Sequence, residues 1–106
     1  MTPPAPLHTE RRTLLTLFSE AAVEPLLVRD MDRLGIGGYT ISDARGKGSR
    51  GVRDAAWDEA RNIRVEVICA RAQAETLLAH LQARYFANYA MVATLSEVEV
   101  LRPGKF

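Results

Sequence analysis

The sequence predicts an α+β domain with element order β-α-β, long loop, β-α-β, and three observations carry that prediction. Two stretches place apolar residues at helical spacing. Four short runs either alternate or are apolar on both sides, as strands do. Between the two halves lies a glycine- and arginine-rich segment of about sixteen residues with no apolar period.

The elements follow in order. Residues 1–11, with Pro3, Pro4 and Pro6, are expected to form a disordered arm ahead of a single domain over 12–106. In "RRTLLTLFSE" a strand is expected over roughly Thr13 to Phe18. It puts Leu15 and Leu17 on one face and Leu14 and Phe18 on the other, so both faces look covered. A helix follows, with Pro25 in its first turn, where a missing N–H is tolerated, and Gly35 just past its end. Val23, Leu27, Met31 and Leu34 form its apolar stripe. "GYTISDA" reads as a second short strand. In "NIRVEVICA" Ile63, Val65, Val67 and Cys69 share one face, and Arg64 and Glu66 point the other way. The second helix runs from about Arg71 to Tyr85, with Ala74, Leu77, Leu78, Leu81 and Tyr85 on one side. The last strand, "AMVATLSEVEVL", begins apolar on both faces and ends with Glu97 and Glu99 alternating against Val98 and Val100.

This order is that of a ferredoxin-like βαββαβ sandwich, two helices on one face of a four-stranded antiparallel sheet. Helices can cover only one face, yet the first strand and the start of the last are apolar on both. The uncovered face implies a partner surface, most simply a second copy of the chain.

Bulk composition narrows the function. At 106 residues and 47% hydrophobic content the chain forms one globular domain, and a net charge of +1 gives no bulk attraction to nucleic acid or acidic membranes. One cysteine, Cys69, excludes an internal disulfide and offers no metal set. The start "MTPPAPLHTE" lacks the basic and apolar regions of a signal peptide, so a cytoplasmic protein is expected.

The chemistry concentrates in "GKGSRG", Gly46 to Gly51, which satisfies G-x-G-x-x-G by spacing. A dinucleotide-binding turn would have to open a well-formed helix in a larger parallel sheet, and "VRDAAWDEARN" has no helix-length apolar stripe. A Walker loop fails as well, because Lys47 is followed by Gly48 rather than Ser or Thr. The underlying chemistry survives both failures. Gly46, Gly48 and Gly51 can present backbone N–H groups as an anion nest, and Ser49 adds a hydroxyl. Arg45, Lys47, Arg50 and Arg53 stand together with no acidic residue between them, which suits a compact anion such as a nucleotide phosphate; a solvated basic loop is the bland alternative. Trp57, on the same charged segment, is either a docking anchor or packs back onto the domain.

Other chemistry-bearing residues do not assemble a site. His8 lies in the arm and His80 on the polar side of the second helix, neither with a partner at metal-ligand or catalytic spacing. Cys69 reads as a buried, inert thiol, and Glu97 and Glu99 as two solvated carboxylates. No catalytic residue, metal site or cofactor is expected.

"GYTISDARGKGSRGVR", following a helix that ends in Gly35, together with "RYFANYAM", resembles P-II-like signalling proteins. The likeness runs from about Leu14 to Leu101 and is greatest to the branch associated with bicarbonate transporters and carboxysomes. It implies a homotrimer of ferredoxin-like subunits and a mobile T-loop at about 44–60. It further implies adenine nucleotides, AMP or ADP or cyclic AMP, bound between subunits, in some members with bicarbonate. Carried across, Gly46, Lys47, Gly48, Ser49, Arg50 and Arg53 would receive the phosphate. Backbone around Tyr39, Thr40, Ile41 and Ser42 and around Ala87, Asn88, Tyr89 and Ala90 would enclose base and ribose. Trp57 would dock on a membrane transporter or carboxysome-related target, which would bring the protein to that site. The implied role is regulatory and non-catalytic, in inorganic-carbon metabolism.

The chain departs from the nitrogen-regulatory branch. Where those proteins have a Gly-Asp-Gly-Lys turn with a phosphate-binding lysine, this sequence has Ala87 to Ala90 with no lysine. The glutamine and modifiable tyrosine region of their loop are also missing, which argues against 2-oxoglutarate sensing and uridylylation. The alternatives are a nitrogen-regulatory-type P-II protein, an RNA-binding ferredoxin-like domain and a small-ligand enzyme of dimeric ferredoxin-like type. The RNA reading is weak because "RVEVIC" offers no aromatic for stacking bases, and no nucleic-acid partner is expected.

Overall fold

"RRTLLTLFSE" carries leucines and threonines on both faces, and the chain there runs as the longest described strand, β1 (Glu10–Glu20). The structure is a computed structural model that describes residues 2–46 and 61–106. A 3-10 turn (Ala21–Val23) leads into helix α1 (Glu24–Arg33), followed by β2 (Thr40–Ala44), β3 (Asn62–Cys69), helix α2 (Arg71–Arg84) and β4 (Val92–Val100). A last 3-10 turn spans Pro103–Lys105. The sheet has strand order β2-β3-β1-β4 and every neighbouring pair is antiparallel, which is the ferredoxin-like arrangement.

β1 begins at Glu10, ahead of the expected Thr13, and so takes in Glu10 and Arg11, which the sequence reading placed in the arm. The reason is β4, which runs on to Val100 and offers a partner along the whole length, with Glu10 opposite Val100 and Arg11 opposite Glu99. Thr9 Oγ1 donates to Glu99 Oε1 at 2.9 Å, and Arg11 approaches Glu97 at 3.6 Å.

Register sorts the side chains into two layers, because residues directly opposite on paired strands share a face. Leu15 stands opposite Val67 and Leu95; Leu17 stands opposite Val65 and Ala93; Ile41 stands opposite Val65. These residues meet Leu27 and Met31 of α1 and Ala74, Leu77 and Leu81 of α2 in one core. Burying each such aliphatic side chain contributes about 1.5–3 kcal/mol. The other face carries Leu14 opposite Ile68, and Phe18 opposite both Arg64 and Val92. Leu14, Phe18 and Ile68 are only half-buried there, Val92 is 56% exposed, and the Arg64 guanidinium lies 5.8 Å from the centre of the Phe18 ring. Val98 and Val100 fall on this second face too, in line with Ser96 opposite Leu14.

The helix ends obey their sequence signals. Pro25 sits in the first turn of α1. Beyond the helix, Gly35 adopts φ 75°, the left-handed conformation that favours glycine. The Ile36 N–H then reaches Met31 O at 2.9 Å and the Gly35 N–H reaches Asp32 O at 3.2 Å, a Schellman closure with Ile36 and Met31 both in the core. Gln73 Nε2 of α2 donates to Gly35 O at 2.9 Å, tying the two helices together at that turn.

Candidate functional site

Three segments hold those of the residues singled out by the sequence that the structure describes. The first is β2 and its approach. β2 is an edge strand that pairs with β3 alone, so part of its backbone N–H and C=O groups faces outward and is open to a ligand. Tyr39 and Thr40 are exposed, Ser42 is exposed opposite Arg64, and Ile41 instead turns into the core against Val65. Gly38, Tyr39 and Thr40 border an open cleft of about 220 Å³ whose other walls are Glu66, Ile68, Lys105 and Phe106.

The second segment is the end of the β2–β3 pair. Ala44 stands opposite Asn62, and Arg61 donates to Asp43 Oδ1 at 3.2 Å. Arg45 and Gly46 follow, both exposed. Lys47, Gly48, Ser49, Arg50, Arg53 and Trp57 lie outside the described residues.

The third is the connection from α2 to β4, residues 86–91. Ala87 and Asn88 are exposed, while Tyr89 and Ala90 are half-buried. Tyr85 O accepts both the Asn88 and Tyr89 N–H groups at 3.0 Å, the Met91 N–H reaches Tyr89 O at 2.9 Å, and the Ala90 N–H points at Glu20 Oε1 over a long 3.5 Å.

The strand pairing fixes how these segments stand to each other. Ala44 is level with Asn62, Asn62 with Glu20, and Glu20 meets Ala90, so the β2 end and the 86–91 connection share one end of the sheet. They sit on opposite edges of it, because β2 and β4 are separated by β3 and β1. Three strand spacings put about 14 Å between the two edges. One protomer therefore does not bring Tyr39–Ser42 and Asn88–Ala90 together.

Beside the third segment lies a polar cluster that the sequence reading missed. Asp30 of α1 is 5% exposed, and its carboxylate is fully engaged. The Tyr85 hydroxyl donates to Oδ2, His80 Nε2 lies 2.9 Å from the same oxygen, and Arg29 Nε donates to Oδ1 at 3.1 Å. Burial pushes the Asp30 carboxyl up, but the bonds from Tyr85, His80 and Arg29 outweigh it and hold it down to about 2. The Tyr85 hydroxyl is pushed up by burial and by donating to that carboxylate. His80, expected without a partner on the polar side of its helix, is thus corrected. Its Nε2 turns inward to a carboxylate that needs donors. The clue was in the spacing: Asp30 follows Leu27 by three and Tyr85 follows Leu81 by four, placing both on the apolar stripes.

Cys69 is buried, and burial pushes its thiol up, away from the reactive thiolate. Glu97 and Glu99 are exposed. Among the described residues no group of three or more His, Cys, Asp or Glu could hold a metal ion, and no helix is long and apolar enough to cross a membrane.

A ferredoxin-like sandwich with a bare apolar sheet face and a glycine-rich segment between β2 and β3 defines the class: a small α+β sandwich domain. Within it, the chain belongs to the nitrogen regulatory protein P-II family, whose model matches residues 12–105. It is similar to a PII-like signalling protein from Thermus thermophilus, at 40% identity over 94% of this chain and 99% of that one, with a TM-score of 0.78. It is also similar to CPII from Thiomonas intermedia. The structure of CPII with ADP and bicarbonate matches at 25% identity over 95% of this chain and 99% of that one, TM-score 0.81. The structure with ADP, AMP and acetate matches at 25% over 94% and 98%, TM-score 0.81. A Bacillus subtilis GlnK–ATP complex, at 10% identity over 83% and 82% and TM-score 0.59, shares the fold.

Proposed function

We propose that this protein is a non-catalytic regulator that binds an adenine nucleotide, AMP or ADP, between the subunits of a homotrimer. The observation that carries the reading is the split of the candidate residues between the two edges of the sheet. Tyr39–Ser42 and Gly46 lie on the β2 edge and Asn88–Ala90 on the β4 edge. Each half is open to solvent, and the second half meets the first only when a neighbouring copy supplies it. The apolar stripe of Leu14, Phe18, Ile68 and Val92 supplies a surface for that assembly.

Lys47, Ser49, Arg50 and Arg53 are assigned to the phosphates, with Gly46 and Gly48 lending backbone N–H groups. The missing lysine at Ala87–Ala90 favours a mono- or diphosphate over a triphosphate. The ligands of CPII, ADP with AMP or with bicarbonate, support both the nucleotide class and bicarbonate as a co-ligand. Neutralising the cations assigned to the phosphates would change what Trp57 can dock on, a transporter or carboxysome-related protein in inorganic-carbon metabolism.

Calorimetry with AMP, ADP, ATP and cyclic AMP, with and without bicarbonate, tests this, alongside sedimentation analysis. The expected result is a trimer that binds AMP or ADP more tightly than ATP, with affinity lost in Arg50→Ala and Arg53→Ala. A monomer, or unchanged affinity in both variants, sinks the assignment.

A further inference from the structure

We propose that Asp30 is the positioning residue for the 86–91 connection, acting through Tyr85. Tyr85 is the first residue past α2, and its backbone is engaged on both sides: its N–H reaches Leu81 O at 2.8 Å, and its C=O takes both the Asn88 and Tyr89 N–H groups. Its ring packs against Tyr89 at 6.0 Å between centroids and meets His80 edge-on at 6.2 Å. Two of the connection's backbone N–H groups therefore hang on Tyr85, while the Ala90 N–H points at Glu20 and Met91 is buried in the core. Tyr85 is itself buried in the core, and its hydroxyl bonds to Asp30, a partner fifty-five positions earlier on the other helix.

A buried carboxylate is an expensive way to join two helices. Taking the charge out of water is unfavourable, and apolar residues of the same volume usually pack as well. A charged acceptor does supply direction. It draws the Tyr85 hydroxyl, the His80 ring and the Arg29 guanidinium to fixed points and leaves the Tyr85 backbone one orientation. Asn88 and Tyr89 make their backbone bonds to that residue and lie beside Ala90. The ligand-binding part of this inference rests on the nucleotide reading above; the positioning part does not.

The test compares Asp30→Asn and Tyr85→Phe with the wild-type protein. Tyr85→Phe keeps the ring and removes only the hydroxyl, so it covers the case in which Asp30→Asn fails to fold. Amide hydrogen exchange is followed at Asn88, Tyr89 and Met91 and, for reference, at Val65 and Val67 of β3. ADP affinity is measured by calorimetry well below each melting temperature. Exchange at the three connection amides is expected to rise selectively by roughly tenfold, with ADP binding weakened by a similar factor. His80→Gln, whose amide can donate to the same oxygen, is expected to exchange like wild type, and Arg71→Ala on the far end of α2 to change nothing. Exchange rising evenly in strand and connection would mean that Asp30 only stabilises the fold, and unchanged exchange at the connection overturns the proposal outright. Absence of ADP binding in the wild-type protein would instead remove the nucleotide reading, and the exchange comparison would still decide the positioning role.

Discussion

His80 Nε2 and Asp30 Oδ2 lie 2.9 Å apart across the α1–α2 contact, joining a half-exposed ring to a buried carboxylate. Because Tyr85 and Arg29 complete the carboxylate's bonds, replacing Asp30 by Ala leaves three donors without their acceptor. The expected cost is about 3 kcal/mol, read as a lower denaturant midpoint at unchanged slope.

The same carboxylate sets an acid limit. Its value lies near 2 in the folded protein against 3.8 as the reference, so its contribution is fully present above about pH 4 and is lost as pH falls through about 2. The difference corresponds to roughly 2 kcal/mol. Urea titrations of wild type and Asp30→Asn between pH 2 and pH 6 should converge at the acid end; parallel curves would show that Asp30 titrates normally.

Gly35 should not tolerate a side chain. At φ 75° an L-residue is strained, and a Cβ there meets nothing within 4 Å, so the loss in Gly35→Ala is one of backbone alone. About 1 kcal/mol is expected, measured by thermal unfolding.

The two sheet faces should respond oppositely to mutation. Leu77→Ala in the core is expected to lose about 2–5 kcal/mol. Val92→Lys, on the bare face, should leave the far-ultraviolet circular dichroism unchanged while shifting sedimentation toward the monomer. A Val92→Lys protein that still assembles normally would place the contact elsewhere.

Cys69 is expected to stay unmodified by a thiol reagent in the folded protein and to react fully in denaturant. Its burial removes both access and thiolate character.

Much of the fold was legible because its signals are local. Alternation in Ile63, Val65, Val67 and Cys69 found β3, and Pro25 and Gly35 bracketed α1 to within a residue or two. The extension of β1 to Glu10 was not, since it depends on β4 reaching Val100 at the far end of the chain. The bare sheet face could be read from Leu14 and Phe18, because apolar residues on both sides of a strand state a need for two coverings. The Asp30 cluster escaped for a different reason. A charged residue on an apolar stripe looks like a break in the stripe until its partner on another helix is known, and His80 gives no sign of its direction.

The placement of Tyr39–Ser42 and Asn88–Ala90 on opposite edges has a genetic consequence under the proposed assembly. Each protomer lends one edge to the neighbour on its left and the other to the neighbour on its right. Two defective proteins, one damaged at Tyr39–Ser42 and the other at Asn88–Ala90, could then rescue each other. Randomly mixed, they would rebuild roughly a quarter of the pockets, each from two undamaged edges, while the remaining pockets stay crippled.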